Sequence, residues 1–150
     1  MLECLMPLRE FSAIFDGVAR CLAKDRQVQA AYVFGSVATG RVRPNSDIDL
    51  AVLLSPRVLP AEFFHRRLKL MSELGAALHR SDVDVIILNE AKPLLAHRVL
   101  SKGKLIFERS ASARIRFQVN TANRYADLVP AFETYIRYLK KSVREGRIVG

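Results

Sequence analysis

Two aspartates one residue apart, Asp47 and Asp49, open an apolar run that continues through Leu50, Ala51, Val52, Leu53 and Leu54. Successive side chains of a strand alternate faces, so the two carboxylates share one face, about 7 Å apart, while Ile48, Leu50 and Val52 line the other. Carboxylates placed this way repel each other, and a cation between them is the natural compensation. A third, Asp84, stands directly before Val85-Ile86-Ile87-Leu88, another run of strand-forming residues. Three carboxylates converging at strand ends are the hard oxygen ligands that Mg²⁺ takes while it keeps water and phosphate oxygens in its other positions. A pair of such ions can support both the attacking and the leaving oxygen of an in-line displacement at phosphorus. Asp82 lies two residues before Asp84, shares its face and competes for the third place. Asp84 is preferred because the apolar strand begins directly after it.

Just upstream, Gly35-Ser36 follows the apolar run Val28 to Phe34. A strand feeding a turn whose next amides open a helix leaves unpaired N–H groups that suit phosphate oxygens. Gly35 lets a ligand approach the backbone, and Ser36 adds a hydroxyl donor. The segment from Arg41 to Ser46, with Arg41, Arg43, Pro44 and Asn45, is a loop by its turn-forming content, and its two arginines are candidate nucleotide contacts.

The elements that must position these groups follow from periodicity. Leu8 to Lys24 repeats apolar residues every three or four positions and predicts a helix. Strands are predicted at Val28 to Phe34 and Asp47 to Leu54, then a helix over Ala61 to His79 whose stripe includes Phe64, Leu68, Met71 and Leu74, with Arg66, Arg67, Lys69 and Glu73 mostly off it. A third strand covers Val85 to Leu88, a short helix Pro93 to Ser101 and an extended piece Lys104 to Glu108. Two further helices, Ala111 to Leu128 and Ala131 to Glu145, are expected to separate at Pro130.

The chain has 150 residues, half of them apolar, enough for one domain with a real core. No apolar run approaches the ~20 residues that span a bilayer. Met1 to Arg9 carries Glu3 before any basic residue and lacks the pattern of a signal peptide, so a cytoplasmic location is expected. Cys4 and Cys21 suggest ordinary thiols, and His65, His79 and His97 have no paired-ligand spacing. The net charge of +9 is uneven: residues 98–150 hold 12 Lys and Arg against 4 Asp and Glu, while residues 1–97 hold 12 against 11. A basic flank of this kind attracts phosphates, nucleic acid or an acidic protein surface.

Gly35-Ser36, ten residues, Asp47-x-Asp49, with Asp84 in a later strand, resembles the signature of the nucleotidyltransferase superfamily that includes polymerase β-like enzymes. The small size and the forms Gly35-Ser36-Val37-Ala38-Thr39-Gly40 and Ser46-Asp47-Ile48-Asp49-Leu50-Ala51-Val52 resemble its minimal branch, the MNT proteins. Thr39 stands where many members have arginine, which leaves Arg41 or Arg43 to supply that charge. The resemblance implies an α+β nucleotidyltransferase fold with a small mixed sheet flanked by helices. It divides the chain into a core over 1–108 and a C-terminal helical extension over 109–150, packed together as one domain.

Asn123-Arg124-Tyr125-Ala126-Asp127-Leu128, with Pro130 and Tyr135, is similar to the tail of MNT antitoxins that pair with HEPN toxins. That likeness implies an antitoxin that transfers AMP from ATP to a tyrosine of a HEPN ribonuclease partner, with two Mg²⁺ ions, no membrane association and no direct binding of nucleic acid. By the same resemblance, Asp47 and Asp49 bind both ions, Asp84 binds the one on the nucleophile side and helps remove the hydroxyl proton, and Gly35 and Ser36 contact the β and γ phosphates. Two other functions are compatible with the residues: nucleotidyl transfer to a small hydroxylated molecule, and neutralisation of a toxin by binding without catalysis. The short chain weighs against the first and the three carboxylates against the second.

Overall fold

The computed structural model describes residues 8–35 and 47–147. The expected nucleotide contacts Ser36, Arg41 and Arg43 lie outside the described residues. Helix α1 (Leu8–Ala23) leads into β1 (Val28–Phe34), followed by β2 (Ile48–Leu54), helix α2 (Phe63–Leu78) and β3 (Val83–Ile87). Helix α3 (Pro93–Lys102), β4 (Lys104–Glu108) and the long helix α4 (Ala111–Arg144) follow, completing the helices and strands of the described residues.

The four strands form one mixed sheet in the order β3-β2-β1-β4. β1 is antiparallel to both β2 and β4, and β2 runs parallel to β3. Parallel neighbours need a crossover connection, which α2 provides between β2 and β3. The α+β class expected from the sequence is therefore the observed one. On one face, Ile48, Leu50, Val52 and Leu54 of β2 join Val18 and Leu22 of α1, Leu70 and Leu74 of α2, and Val83, Val85 and Ile87 of β3. On the other, Ala30, Tyr32, Ala51 and Leu53 pack with Leu88, Val99 of α3 and Phe117 of α4. Strand residues alternate between these two cores, which is why β1 and β2 are apolar almost throughout rather than at every second position.

The ends of α2 follow known rules. Pro60 opens a 3-10 turn, and the Leu59 N–H donates to Glu62 Oε2 at 2.8 Å. At the other end His79 adopts a left-handed conformation, φ 53°, and the next amide, Arg80 N–H, donates back to Gly75 O at 2.9 Å.

Two expectations need correction. Strand β3 begins at Val83, so Asp84 is its second residue, and Leu88 belongs to a 3-10 turn instead of the strand. Pairing decides this: Ile48 stands opposite Val83 at the start of β2. Second, α4 does not break at Pro130 but runs as one helix through it. Proline removes one ladder bond to the carbonyl of Ala126, which lies on an exposed stretch where water can replace the lost donor.

Asn89 closes the far end of β2. Its Oδ1 accepts from Leu54 N–H at 2.8 Å and its Nδ2 donates to Leu54 O at 2.9 Å, so a side chain imitates a strand neighbour. Asn89→Ala leaves both main-chain groups without that partner. Because they are partly buried, the variant is expected to lose about 1–3 kcal/mol of unfolding free energy in urea titration.

Candidate active site

Antiparallel pairing places Phe34 opposite Asp49, so the residue after β1, Gly35, arrives beside the Asp49 carboxylate. Gly35 has φ +74°, a left-handed conformation that costs side-chain-bearing residues energy. A Cβ there would also stand 2.6 Å from Asp49 Oδ2. The backbone conformation favours glycine, and any side chain there would displace the Asp49 carboxylate.

Parallel pairing puts Asp84 opposite Asp49. Neighbours in register project to the same side, so the two carboxylates face one another at the start of β2 and β3. Asp47 is exposed and directly precedes β2. Burial, then the charge of Asp84, then that of Asp47, raise the Asp49 pKa above its ordinary value. All three causes disfavour the ionised form, so the site gathers negative charge.

Asp82, the sequence-level rival to Asp84, has both oxygens committed. Arg80 Nε donates to its Oδ1 at 2.8 Å and Arg80 Nη2 to its Oδ2 at 2.6 Å, and this fork lowers the Asp82 pKa. Asp84 is held differently. Arg67 of α2 donates from Nη2 to Asp84 Oδ1 at 3.2 Å and from Nε to Val85 O at 2.7 Å. Sequence reasoning left Arg67 on the solvated face of its helix. Its partners come from β3, seventeen and eighteen residues on, and only the packing of α2 on that strand shows them.

The arrangement fits Mg²⁺. Among the described residues no three carboxylate, imidazole or thiol groups are closed tightly enough to hold an ion unaided. Asp49 and Asp84, opposite one another in register, offer the hard oxygens taken by an ion that binds through one or two carboxylates and fills its octahedron with water and substrate phosphates. A cavity of about 800 Å³ lies elsewhere, between α1 and α2 and lined by Arg20, Cys21, Lys24 and Glu73. It adjoins the start of β1, whereas Gly35 and the carboxylates are at its end.

Fold and carboxylate arrangement together define a nucleotidyltransferase. Residues 17–112 match the family model described as polymerase beta, nucleotidyltransferase, and the chain belongs to that family. It is 33% identical over 102 residues to the protein adenylyltransferase MntA of Shewanella oneidensis, covering 68% of this chain and 69% of the relative. It is 29% identical over 104 residues to the protein adenylyltransferase MntA of Aphanizomenon flos-aquae, covering 66% and 69%. Among solved structures, one described as a toxin-antitoxin with AMP-PNP superposes with TM-score 0.69 at 28% identity over 84% of this chain and 98% of that one. Another, the toxin-antitoxin MntA-HepT, gives TM-score 0.65 at 25% identity, covering 86% and 98%.

The electrostatics predict opposite effects of substitution on stability and on chemistry. A raised folded-state pKa means that ionised Asp49 opposes folding at neutral pH. The penalty disappears as pH falls below about 4, where the unfolded group also protonates. Asp49→Asn is therefore expected to raise the melting temperature of the metal-free protein at pH 7, with the gain shrinking in acid. Asp82→Asn is expected to lower the melting temperature while leaving nucleotidyl transfer largely intact, and Asp84→Asn to abolish transfer with little change in melting temperature. Thermal scans beside a pyrophosphate-release assay distinguish these outcomes.

Proposed function

We propose that this chain is a cytoplasmic antitoxin that transfers AMP from ATP to a tyrosine hydroxyl of a cognate HEPN toxin. The reading is supported chiefly by the Asp49–Asp84 register beside Gly35, together with the likeness to adenylyltransferases and to a toxin-antitoxin structure bearing an ATP analogue. Asp47, Asp49 and Asp84 would hold Mg²⁺, which when bound neutralises triphosphate charge. Gly35 and Ser36 bind the β and γ phosphates. The tyrosine oxygen forms a bond to the α phosphorus, the bond from that phosphorus to the bridging oxygen breaks, and pyrophosphate leaves. The hydroxyl proton passes to Asp84 and from there to solvent. Such transfers draw most of their rate from positioning and charge neutralisation, which these residues supply.

In this reading residues 1–108 form the catalytic core and residues 109–150 the extension that meets the partner. The inner stripe of α4 supports a protein partner. Thr121 is buried, and Tyr125 stacks on His97 of α3 with ring centroids 3.6 Å apart. At the same three- and four-residue spacing the stripe continues through Leu128, Phe132 and Tyr135, all exposed, then the half-buried Leu139 and the exposed Val143. Arg137, Lys140, Lys141 and Arg144 flank this second half, with Glu133 the one acid among them. A second copy would meet like charge, and nucleic acid would leave the apolar side chains in water. A toxin surface with an apolar groove rimmed by carboxylates satisfies both.

The test combines the purified chain with the product of its neighbouring gene, ATP and Mg²⁺, and follows the partner by intact mass. Increments of AMP are expected, and the double variant Asp47→Asn, Asp49→Asn should abolish them. Full neutralisation of the toxin by that double variant would leave a binding module in place of an enzyme. AMP on a small hydroxylated compound and on no protein would assign a different acceptor. Phe132→Ser with Tyr135→Ser is expected to weaken partner binding at least tenfold in calorimetry while nucleotide affinity stays the same.

A further inference from the structure

Arg67 stands apart from the other basic residues of α2. Arg66 pairs with Asp25 at 3.3 Å, and Lys69 lies 3.9 Å from Glu73 of its own helix, so neither is directed at the candidate site. Arg67 reaches β3, the outermost strand on that side of the sheet, and makes two bonds there of different kinds. The shorter, 2.7 Å from Nε to Val85 O, ties the guanidinium to the strand backbone. The longer, 3.2 Å from Nη2, goes to Oδ1 of Asp84. The pair with Asp84 is well exposed, its side chains 37% and 50% accessible, and as a source of stability an ion pair this open counts for little.

Its geometry gives it another use. A carboxylate on an exposed strand end rotates freely about its side-chain bonds, and facing Asp49 it would turn away from the like charge. Arg67 counters that tendency: a cation fixed to the neighbouring peptide group holds one oxygen of Asp84 in place. The bond goes to Oδ1, which leaves Oδ2 for an ion or an acceptor hydroxyl. Asp82 shows the contrast, since Arg80 engages both of its oxygens.

We propose that Arg67 is the positioning residue of the third carboxylate, anchored to Val85 O and holding Asp84 through Oδ1 so that Oδ2 is presented toward Asp49. The proposal rests on the nucleotidyltransferase reading of the site and extends it to a residue outside the family signature described above. Lysine cannot replace this function, because one ammonium lacks the planar fork that satisfies a backbone carbonyl and a carboxylate together.

Partners that orient metal-ligating carboxylates typically change metal affinity or activity by about 10–100-fold when removed. The test therefore measures Mn²⁺ binding to the protein carrying a non-hydrolysable ATP analogue, against the analogue alone, by electron paramagnetic resonance, and separately kcat and the nucleotide KM. Arg67→Ala and Arg67→Met are expected to weaken Mn²⁺ binding and to lower kcat by about 10–100-fold, with nucleotide KM within about twofold of the parent. Arg67→Lys should recover the melting temperature but less than half of the lost Mn²⁺ affinity. Unchanged Mn²⁺ affinity in the alanine and methionine variants would overturn the proposal and leave Arg67 as a cap on the strand edge. Tighter Mn²⁺ binding would overturn it too, making Arg67 a competitor of the ion. Should one variant fail to fold, the other two carry the comparison. If the parent binds Mn²⁺ but transfers no AMP, the function assignment fails while the metal readout still judges Arg67. If the parent binds no Mn²⁺, the metal site itself is absent and the proposal falls with it.

Discussion

The repulsion between Asp49 and Asp84 is the constraint around which the rest of the structure is arranged. Parallel pairing of β2 with β3 brings the two carboxylates face to face, and the burial of Asp49 makes its charge more costly. A sheet selected for stability alone would put apolar side chains at this pair of positions. The fold keeps the conflict at one edge and offsets it with two apolar cores, one on each face of the sheet. Electrostatic conflict held at one place and supported elsewhere is an arrangement that a cation would relieve.

The arginines near the site divide the work around that conflict. Arg80 fully engages Asp82, which removes one acidic group from competition. It also lies in the field of Asp47. Arg67 touches Asp84 at one oxygen only. Two aspartates two residues apart, Asp82 just before β3 and Asp84 within it, are thus engaged differently by the cations that reach them, although their side chains are chemically identical.

Much of this was legible in the sequence. Asp47-x-Asp49 at the head of an apolar run placed two carboxylates on one face because strand periodicity is fixed by backbone geometry. Gly35 after β1 was legible for a similar reason, since the turn needs a residue tolerant of left-handed φ. The preference for Asp84 over Asp82 rested on a strand start placed two residues too late; the register opposite Asp49 and the arginine that reaches each aspartate are not local properties. Arg67 was hidden because a helix pattern separates apolar from polar positions but does not say which polar position faces another element. Pro130 misled for the opposite reason: its local penalty is real, yet the helix on either side is long enough to absorb one missing bond.

The same pairing has a consequence for the order in which the molecule becomes competent. Both ends of β2 depend on chain about 35 residues further along, Asp49 on Asp84 and Leu54 on Asn89. Contacts across such separations form late, because closing the intervening chain costs entropy before any bond rewards it. A growing polypeptide that has emerged only as far as β2 therefore carries Gly35, Asp47 and Asp49 but no working site. The carboxylates come together only once the crossover helix has docked and β3 is paired with β2, so assembly of this half of the sheet precedes assembly of the candidate site.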